Sequence, residues 1–118
     1  SAHRPKILHV EDDPTFSTLL NHFTPANAAI ANVSTVQQAR QLLQSESFDL
    51  VVLDLGLPDG SGWDLLPLIA EHHQHLPVLI WSADELSDEL KAKVDAALSK
   101  NQQAIPRLLS TITQLLHR

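Results

Sequence analysis

Short apolar runs alternate with amphipathic stretches five times along this chain of 118 residues. Apolar runs bounded by turn residues are typical of strands that are buried on both faces of a parallel sheet. The stretches between them place apolar residues at helical spacing, which predicts amphipathic helices. We predict strands at residues 6–10, 28–33, 50–53, 77–81 and 94–98, and helices at 14–23, 35–44, 62–73, 84–93 and 105–116.

This order of elements predicts an α/β fold: a doubly wound five-stranded parallel sheet in a flavodoxin-like (βα)5 three-layer sandwich. Ser34 is expected to be the N-cap of the second helix, because its hydroxyl can accept a backbone hydrogen bond. Pro67 lacks an amide hydrogen, so we expect it either in the first turn of the third helix or at a kink. Asp59-Gly60 is interpreted as a turn without a chemical role.

Composition narrows the class of protein. Hydrophobic residues make up 43% of the chain, and the length suits a single domain over residues 1–118, with 1–5 as a tag remnant or a disordered start. Cysteine is absent, which favours a reducing compartment, the cytoplasm. The formal net charge is −6, the basic residues are scattered, and no apolar run is as long as a membrane span. We therefore expect neither direct nucleic-acid binding nor membrane insertion.

Reactive side chains follow four of the predicted strands. The carboxyl ends of parallel strands share one edge of the sheet, where ligands bind, so these side chains should meet there. They are Glu11, Asp12 and Asp13 after the first strand, Asp54 after the third, Ser82 after the fourth and Lys100 after the fifth. Crowded carboxylates repel one another unless a cation lies between them, and Mg²⁺ prefers oxygen ligands.

A carboxylate at such an edge can act as a nucleophile and form an acyl phosphate. Phosphoryl transfer depends on positioning and on cations and donors that stabilise the phosphoryl oxygens. Mg²⁺, the Lys100 ammonium and the Ser82 hydroxyl would supply this stabilisation. The sequence therefore predicts metal-assisted phosphorylation of Asp54.

From Lys6 to about Leu116 the chain resembles the receiver domains of two-component response regulators. The residues that carry the resemblance are Val10-Glu11-Asp12, Asp54 with Pro58 and Gly62 in the loop after it, Ser82-Ala83 and Lys100. The resemblance implies that Asp54 is the phospho-acceptor and that Asp12 ligates Mg²⁺ directly, with Glu11 acting partly through water. Asp54 and the backbone carbonyl of Gly56 would complete the protein ligands of the metal. Ser82, the backbone N–H of Ala83 and Lys100 would bind the phosphoryl group, and Asp13 would be a supporting acid.

The resemblance also implies a role in a bacterial phosphorelay. Asp54 would receive a phosphoryl group from a phosphohistidine of a histidine kinase or of a histidine phosphotransfer domain. Mg²⁺ would be the cofactor, with Mn²⁺ as a substitute. The chain would catalyse only its own phosphorylation and dephosphorylation, and Gly56 and Asp84 would shape water access and so the lifetime of the phosphorylated state. An output domain is expected in the parent protein, with a hybrid histidine kinase as one form of that parent.

Three departures from the family pattern concern the output face, the surface formed by the fourth helix, the fifth strand and the fifth helix. Asn101 follows the lysine where the family has proline, Ala97 stands in place of a switch aromatic, and only 18 positions separate Ser82 from Lys100. They leave open an alternative, a degenerate receiver that binds proteins independently of phosphorylation. A flavin-binding domain of the same fold class is disfavoured, because the acids of residues 11–13 would repel phosphate.

Several other residues have simpler interpretations beside the chemical ones. His72, His73 and His75 suggest a metal cluster, but they lie at a predicted helix end, where imidazolium suits the helix dipole. His9 is interpreted as a packed residue of the first strand. Trp81 is interpreted as packing near the edge of the sheet, close enough to report metal binding.

Overall fold

Strands and helices alternate along the chain in the predicted order. The computed structural model describes residues 4–24, 27–73, 75–83, 86–100 and 105–117. The strands of the main sheet are β1 (Lys6–Val10), β2 (Ala29–Val33), β3 (Leu50–Leu53), β4 (Val78–Ser82) and β5 (Ala96–Ser99). The α-helices in these residues are α1 (Pro14–Phe23), α2 (Val36–Ser45), α3 (Leu66–His72), α4 (Asp88–Lys91) and α5 (Ile105–Leu116).

The main sheet is parallel throughout, and its strands are ordered β2-β1-β3-β4-β5. β3 lies between β1 and β4, with Leu53 opposite both Val10 and Ile80. At the end of β4, Ser82 lies opposite Ser99 of β5. The carboxyl ends of these strands therefore share one edge, and the predicted doubly wound, flavodoxin-like (βα)5 fold is confirmed.

Each face of the sheet is covered by its own hydrophobic core. Successive residues of β3 alternate between the two: Val51 and Leu53 pack towards α2 and α3, whereas Leu50 and Val52 pack towards α1 and α5. All four side chains are fully buried, and burial of each stabilises the fold by roughly 1.5–3 kcal/mol. The strand that precedes Asp54 is therefore held by both helical layers.

The starts of the second and third helices differ from the sequence predictions. Thr35, and not Ser34, is the N-cap of α2, because the Thr35 hydroxyl accepts from the Gln38 N–H at 3.0 Å. The predicted third helix begins as a 3₁₀ turn (Gly62–Leu65) closed by a capping box and continues as α3. Pro67 lies in the first turn of α3, which is one of the two places predicted for it.

Among the described residues, the helix between β4 and β5 is shorter than the one predicted at residues 84–93. This helix, α4, is a single turn whose N-cap, Ser87, accepts from the Leu90 N–H at 3.3 Å. Residues 84 and 85 lie outside the described residues. β5 begins at Ala96, later than predicted. Asp95, just before it, forms two hydrogen bonds with Val78: its N–H donates to the Val78 carbonyl at 3.0 Å, and its carboxylate accepts from the Val78 N–H at 2.8 Å.

Asp59 has a structural role that the sequence did not indicate. After β3, the chain forms a short antiparallel ladder of Gly56–Leu57 with Gly60–Ser61, and Asp59 lies in its turn. The Asp59 carboxylate accepts from the N–H groups of Val36 at 2.7 Å and Gln37 at 3.0 Å. These bonds lower the pKa of Asp59 and tie the loop after β3 to the first turn of α2.

Candidate functional site

Three charged residues lie one position beyond a strand and still bond the sheet through their backbone. The N–H of Glu11 donates to the Val33 carbonyl at 2.9 Å, and the N–H of Asp54 donates to the Val10 carbonyl at 2.9 Å. Lys100 donates in the same way to the last carbonyl of β4, at 2.9 Å. The sheet therefore fixes the backbone from which each of these side chains projects.

The carboxylates of Glu11, Asp12 and Asp54 form one cluster at this edge. Each offers an oxygen that lies within 4.8 Å of the others, and no other such group of potential metal ligands occurs in the described part of the chain. Glu11 is 3% exposed and Asp54 is 7% exposed, whereas Asp12 is open to solvent. The cluster therefore has two buried acids and one acid at its mouth.

Asp13 takes a different role from its neighbours. Its Oδ1 accepts from the Thr15 N–H at 2.9 Å, which makes Asp13 the N-cap of α1. Its own N–H donates to Glu11 Oε2 at 3.2 Å. Asp13 thus supports the site by fixing the start of α1 and by holding Glu11.

Lys100 lies between the two buried acids. Its ammonium is 3.2 Å from Asp54 Oδ2 and forms a second, short ion pair with Glu11 Oε1. The Lys100 side chain is only 7% exposed, so these pairs are largely removed from water. Removal of one charged partner from either ion pair would leave the other charge buried and uncompensated, which is strongly destabilising.

The charge balance of the site suits a divalent cation. Burial raises the pKa of Glu11, the Lys100 ammonium opposes that rise, and the nearby Asp54 carboxylate adds to it. Three carboxylates against one ammonium leave the cluster with an excess of negative charge, and like charges this close repel one another. A hard cation held by carboxylate oxygens would remove that repulsion, so the donor set fits Mg²⁺.

The remaining predicted site residues are Gly56, Ser82 and Ala83. Ser82 is buried at the end of β4, and Ala83 is the exposed residue directly after it. The Gly56 N–H points to Asp54 Oδ1 at 3.4 Å, and Gly56 itself is exposed. The structure therefore brings to one edge of the sheet the seven residues predicted to ligate the metal or to bind the phosphoryl group: Glu11, Asp12, Asp54, Gly56, Ser82, Ala83 and Lys100.

Sequence reasoning missed the aromatic surroundings of Lys100. Its Nζ lies 4.5 Å from the ring centroid of Phe16 and 5.9 Å from that of Trp81. In the sequence, Phe16 is one of the apolar residues at helical spacing in the predicted helix at 14–23, and that spacing does not indicate a contact with Lys100. Phe16 and Lys100 lie on elements far apart in sequence, so the pattern of the chain does not indicate their contact. The only hint in the sequence is that Phe16 lies a few residues after the acids of residues 11–13.

His9 and His73 contact polar partners outside the acid cluster, and Ala97 packs beside a hydrophobic core. His9 is 1% exposed, its Nδ1 is 3.1 Å from Asn32 Oδ1, and burial lowers its pKa to about 4. His73 Nε2–H donates to the Leu43 carbonyl, between α3 and α2. Ala97 is half-buried beside the core under α2 and α3. Asp84 and Asn101 lie outside the described residues.

Fold and site together define a class of α/β domain in which acids and a lysine meet at the carboxyl edge of a parallel sheet. The sequence model of the response regulator receiver domain matches residues 7–113. The chain belongs to this family and is a receiver domain of two-component response regulators. The predicted family membership is thus confirmed.

Comparison with individual proteins agrees with this assignment. The chain is 40% identical over 82 residues to the response regulator protein PilR of Pseudomonas aeruginosa, covering 68% of this chain and 18% of PilR. The HemR receiver domain of Leptospira biflexa has 30% identity and a TM-score of 0.82, over 95% of this chain and 94% of that one. TrrA of Thermotoga maritima, solved with Mg²⁺ and BeF, shares the fold at 22% identity and a TM-score of 0.82, over 94% and 98%.

The chain thus spans less than a fifth of the length of PilR. Among the described residues, no helix combines the length and the apolar character needed to cross a bilayer.

Proposed function

We propose that Asp54 is the phospho-acceptor of this receiver domain and takes its phosphoryl group from a phosphohistidine. The observation that carries this proposal is the position of the Lys100 ammonium, 3.2 Å from Asp54 Oδ2, beside an acidic cluster that fits a divalent cation. Asp54 is then both a metal ligand and a nucleophile. The intact acid cluster favours this function over that of a degenerate receiver that binds proteins independently of phosphorylation.

Receiver domains bind Mg²⁺ at an acidic site, and we assign that site here to Asp12, Asp54 and the Gly56 carbonyl, with Glu11 acting through water. Mn²⁺ would occupy the same oxygen ligands. An ion held there would supply positive charge to the phosphoryl oxygens during transfer. Both metal binding and catalysis therefore converge on the acid cluster of residues 11, 12 and 54.

In the transfer step, a carboxylate oxygen of Asp54 attacks the phosphorus of the phosphohistidine. The new O–P bond forms as the P–N bond breaks, and the imidazole nitrogen leaves with the bonding pair and takes up a proton. The Lys100 ammonium, the Ser82 hydroxyl and the Ala83 N–H bind the phosphoryl oxygens. Their preorganised charge stabilises the transition state without reorganisation of solvent.

Dephosphorylation is a hydrolysis, with water as the nucleophile. Water attacks the phosphorus, the P–O bond to Asp54 breaks, and inorganic phosphate leaves while the carboxylate is restored. Gly56 is exposed beside Asp54, so it leaves a path for that water. The lifetime of the phosphorylated form should therefore depend on the side chain at position 56.

The partners follow from this chemistry. A histidine kinase or a histidine phosphotransfer domain would donate the phosphoryl group, and an output domain of the parent protein would respond to it. We propose that the domain works in the bacterial cytoplasm, where such donors and Mg²⁺ are present.

Intact mass spectrometry tests the assignment. The chain is incubated with phosphoramidate and Mg²⁺, beside Asp54→Asn, an EDTA control and Asp88→Asn, which changes an exposed carboxylate of α4. We expect one phosphoryl addition in the unmodified chain and in Asp88→Asn, and none in the other two samples. Labelling that persists in Asp54→Asn would overturn the assignment of the acceptor.

A further inference from the structure

Two aromatic rings lie close to the Lys100 ammonium. The Phe16 centroid is 4.5 Å and the Trp81 centroid 5.9 Å from Nζ, and both values fall within the roughly 6 Å over which a ring face attracts a cation. The two rings pack edge to face, with centroids 4.9 Å apart and planes at 86°. We propose that Phe16 and Trp81 are positioning residues that hold the Lys100 ammonium for phosphoryl transfer. This inference rests on the proposed role of Asp54.

The ion pairs alone do not fix the ammonium in one place. Lysine carries a compact charge on a flexible stem of four carbons, and here two carboxylates attract it at once. The aromatic rings add a second constraint that does not depend on the charge of either acid. A cation–π contact of this type shifts an equilibrium by roughly 2- to 30-fold, so the contact is strong enough to matter.

Both rings are carried by rigid parts of the fold. Phe16 lies in the first turn of α1, where its N–H donates to the carbonyl of the N-cap Asp13 at 3.2 Å. Trp81 lies in β4, is 1% exposed and stacks on His9 with a centroid distance of 6.2 Å. Sites built on helices and strands hold their geometry better than sites on loops. The rings therefore present a fixed surface to a mobile side chain.

We expect the two rings to hold the Lys100 ammonium while Asp54 is being phosphorylated, since the charge beside the ammonium changes in that step. As the phosphoryl group is added, the ammonium has to pass from carboxylate oxygens to phosphoryl oxygens without returning to water. The rings remain at its side during that passage, since neither ring takes part in the chemistry. Loss of ring electron density should therefore slow the transfer while the acceptor and the metal ligands stay intact.

Phe16 is the better residue to change, because Trp81 is part of the core. We would replace Phe16 by Leu, which removes the ring, and by 3,4,5-trifluorophenylalanine, which keeps the ring but withdraws electron density from its face. Phe48 is a matched control: its ring lies 5.2 Å from Lys6 Nζ, away from the acid cluster. Phosphorylation of the full chain by phosphoramidate at saturating Mg²⁺ is followed by intact mass.

We expect Phe16→Leu to lower the rate constant of phosphorylation about fivefold, within the range of one cation–π contact. Trifluorophenylalanine at position 16 should give most of that loss, and the same change at position 48 should give none. An unchanged rate with the fluorinated ring at position 16 would overturn the proposal, because a packing role alone would survive fluorination.

A spectroscopic readout separates this proposal from the proposed function. The face of the Phe16 ring should shift the ε-methylene protons of Lys100 upfield, and Phe16→Leu should move them downfield in the NMR spectrum. No movement would show that the contact is absent and would overturn the positioning role even with normal phosphorylation of Asp54. If Asp54 is not phosphorylated at all, the proposed function fails, and with it the positioning role, although the NMR shift would still reveal the contact.

Discussion

Gly62 lies so close to Asp54 that a side chain at position 62 has no room. A Cβ atom there would lie 2.3 Å from the Asp54 carbonyl oxygen and 3.0 Å from Leu53 Cδ1. The Gly62 N–H donates to the Leu55 carbonyl at 3.0 Å, which folds the loop back onto the backbone that follows Asp54. The position of Asp54 therefore depends on the absence of a side chain across the loop.

Gly62→Ala should lower the free energy of unfolding by about 1–3 kcal/mol, because the backbone has to move to admit the methyl group. Gly56→Ala is the matched control, since a Cβ atom at position 56 meets nothing within 4 Å. Urea denaturation measures both variants. Equal stability of Gly62→Ala and the unmodified chain would contradict the close approach.

Lys100→Met should destabilise the metal-free domain by about 3 kcal/mol, because Glu11 and Asp54 would keep buried negative charge without a cation. Mg²⁺ should then restore more stability to this variant than to the unmodified chain, since the ion would supply the missing charge. Thermal unfolding with and without Mg²⁺ measures both effects. Lys91→Met, at an exposed site of α4, should change neither. A smaller gain from Mg²⁺ in Lys100→Met would argue against a shared site.

His9 should make the domain less stable in acid. Burial lowers its pKa from 6.5 to about 4, so between these values the unfolded chain binds a proton that the folded chain does not. Stability from His9 is thus complete above pH 6.5 and is lost as the pH falls through about 4, a change of about 3 kcal/mol.

Denaturation across this pH range, beside His9→Gln, isolates the effect. The raised pKa of Glu11 acts in the opposite direction, because it stabilises the fold at low pH and that contribution is lost as pH rises. Glu11 is present in both proteins, so the difference between them reports His9. Parallel pH profiles of the two proteins would show that His9 titrates normally in the fold.

Trp81 should report metal binding through its fluorescence. Its ring lies 5.9 Å from Lys100 Nζ, and a cation bound at the acid cluster would change the electric field on that ammonium. The chain has two tryptophans, and Trp63 packs in the core on the opposite face of the sheet. Titration with Mg²⁺ should therefore change the emission of Trp63→Phe and leave that of Trp81→Phe almost constant. The reverse pattern would place the responsive group outside the acid cluster.

The sequence determined the fold class because burial leaves a local pattern. The run at residues 50–53 is apolar at every position, as a strand covered on both faces requires, and α5 has its apolar residues at helical spacing. The order of these patterns then placed Glu11, Asp54 and Lys100 at strand ends. Parallel strands share one carboxyl edge, so their convergence also followed from sequence alone.

Only the tertiary structure decided which side chains contact one another at that edge of the sheet. Asp12 and Asp13 are adjacent in sequence, yet Asp12 joins the acid cluster and Asp13 caps α1. Asp59 caps a helix that precedes it by more than a dozen residues. Phe16 reaches Lys100 across the sheet edge. Such contacts depend on how helices and loops pack in three dimensions, and no local periodicity encodes the distance between side chains far apart in the chain.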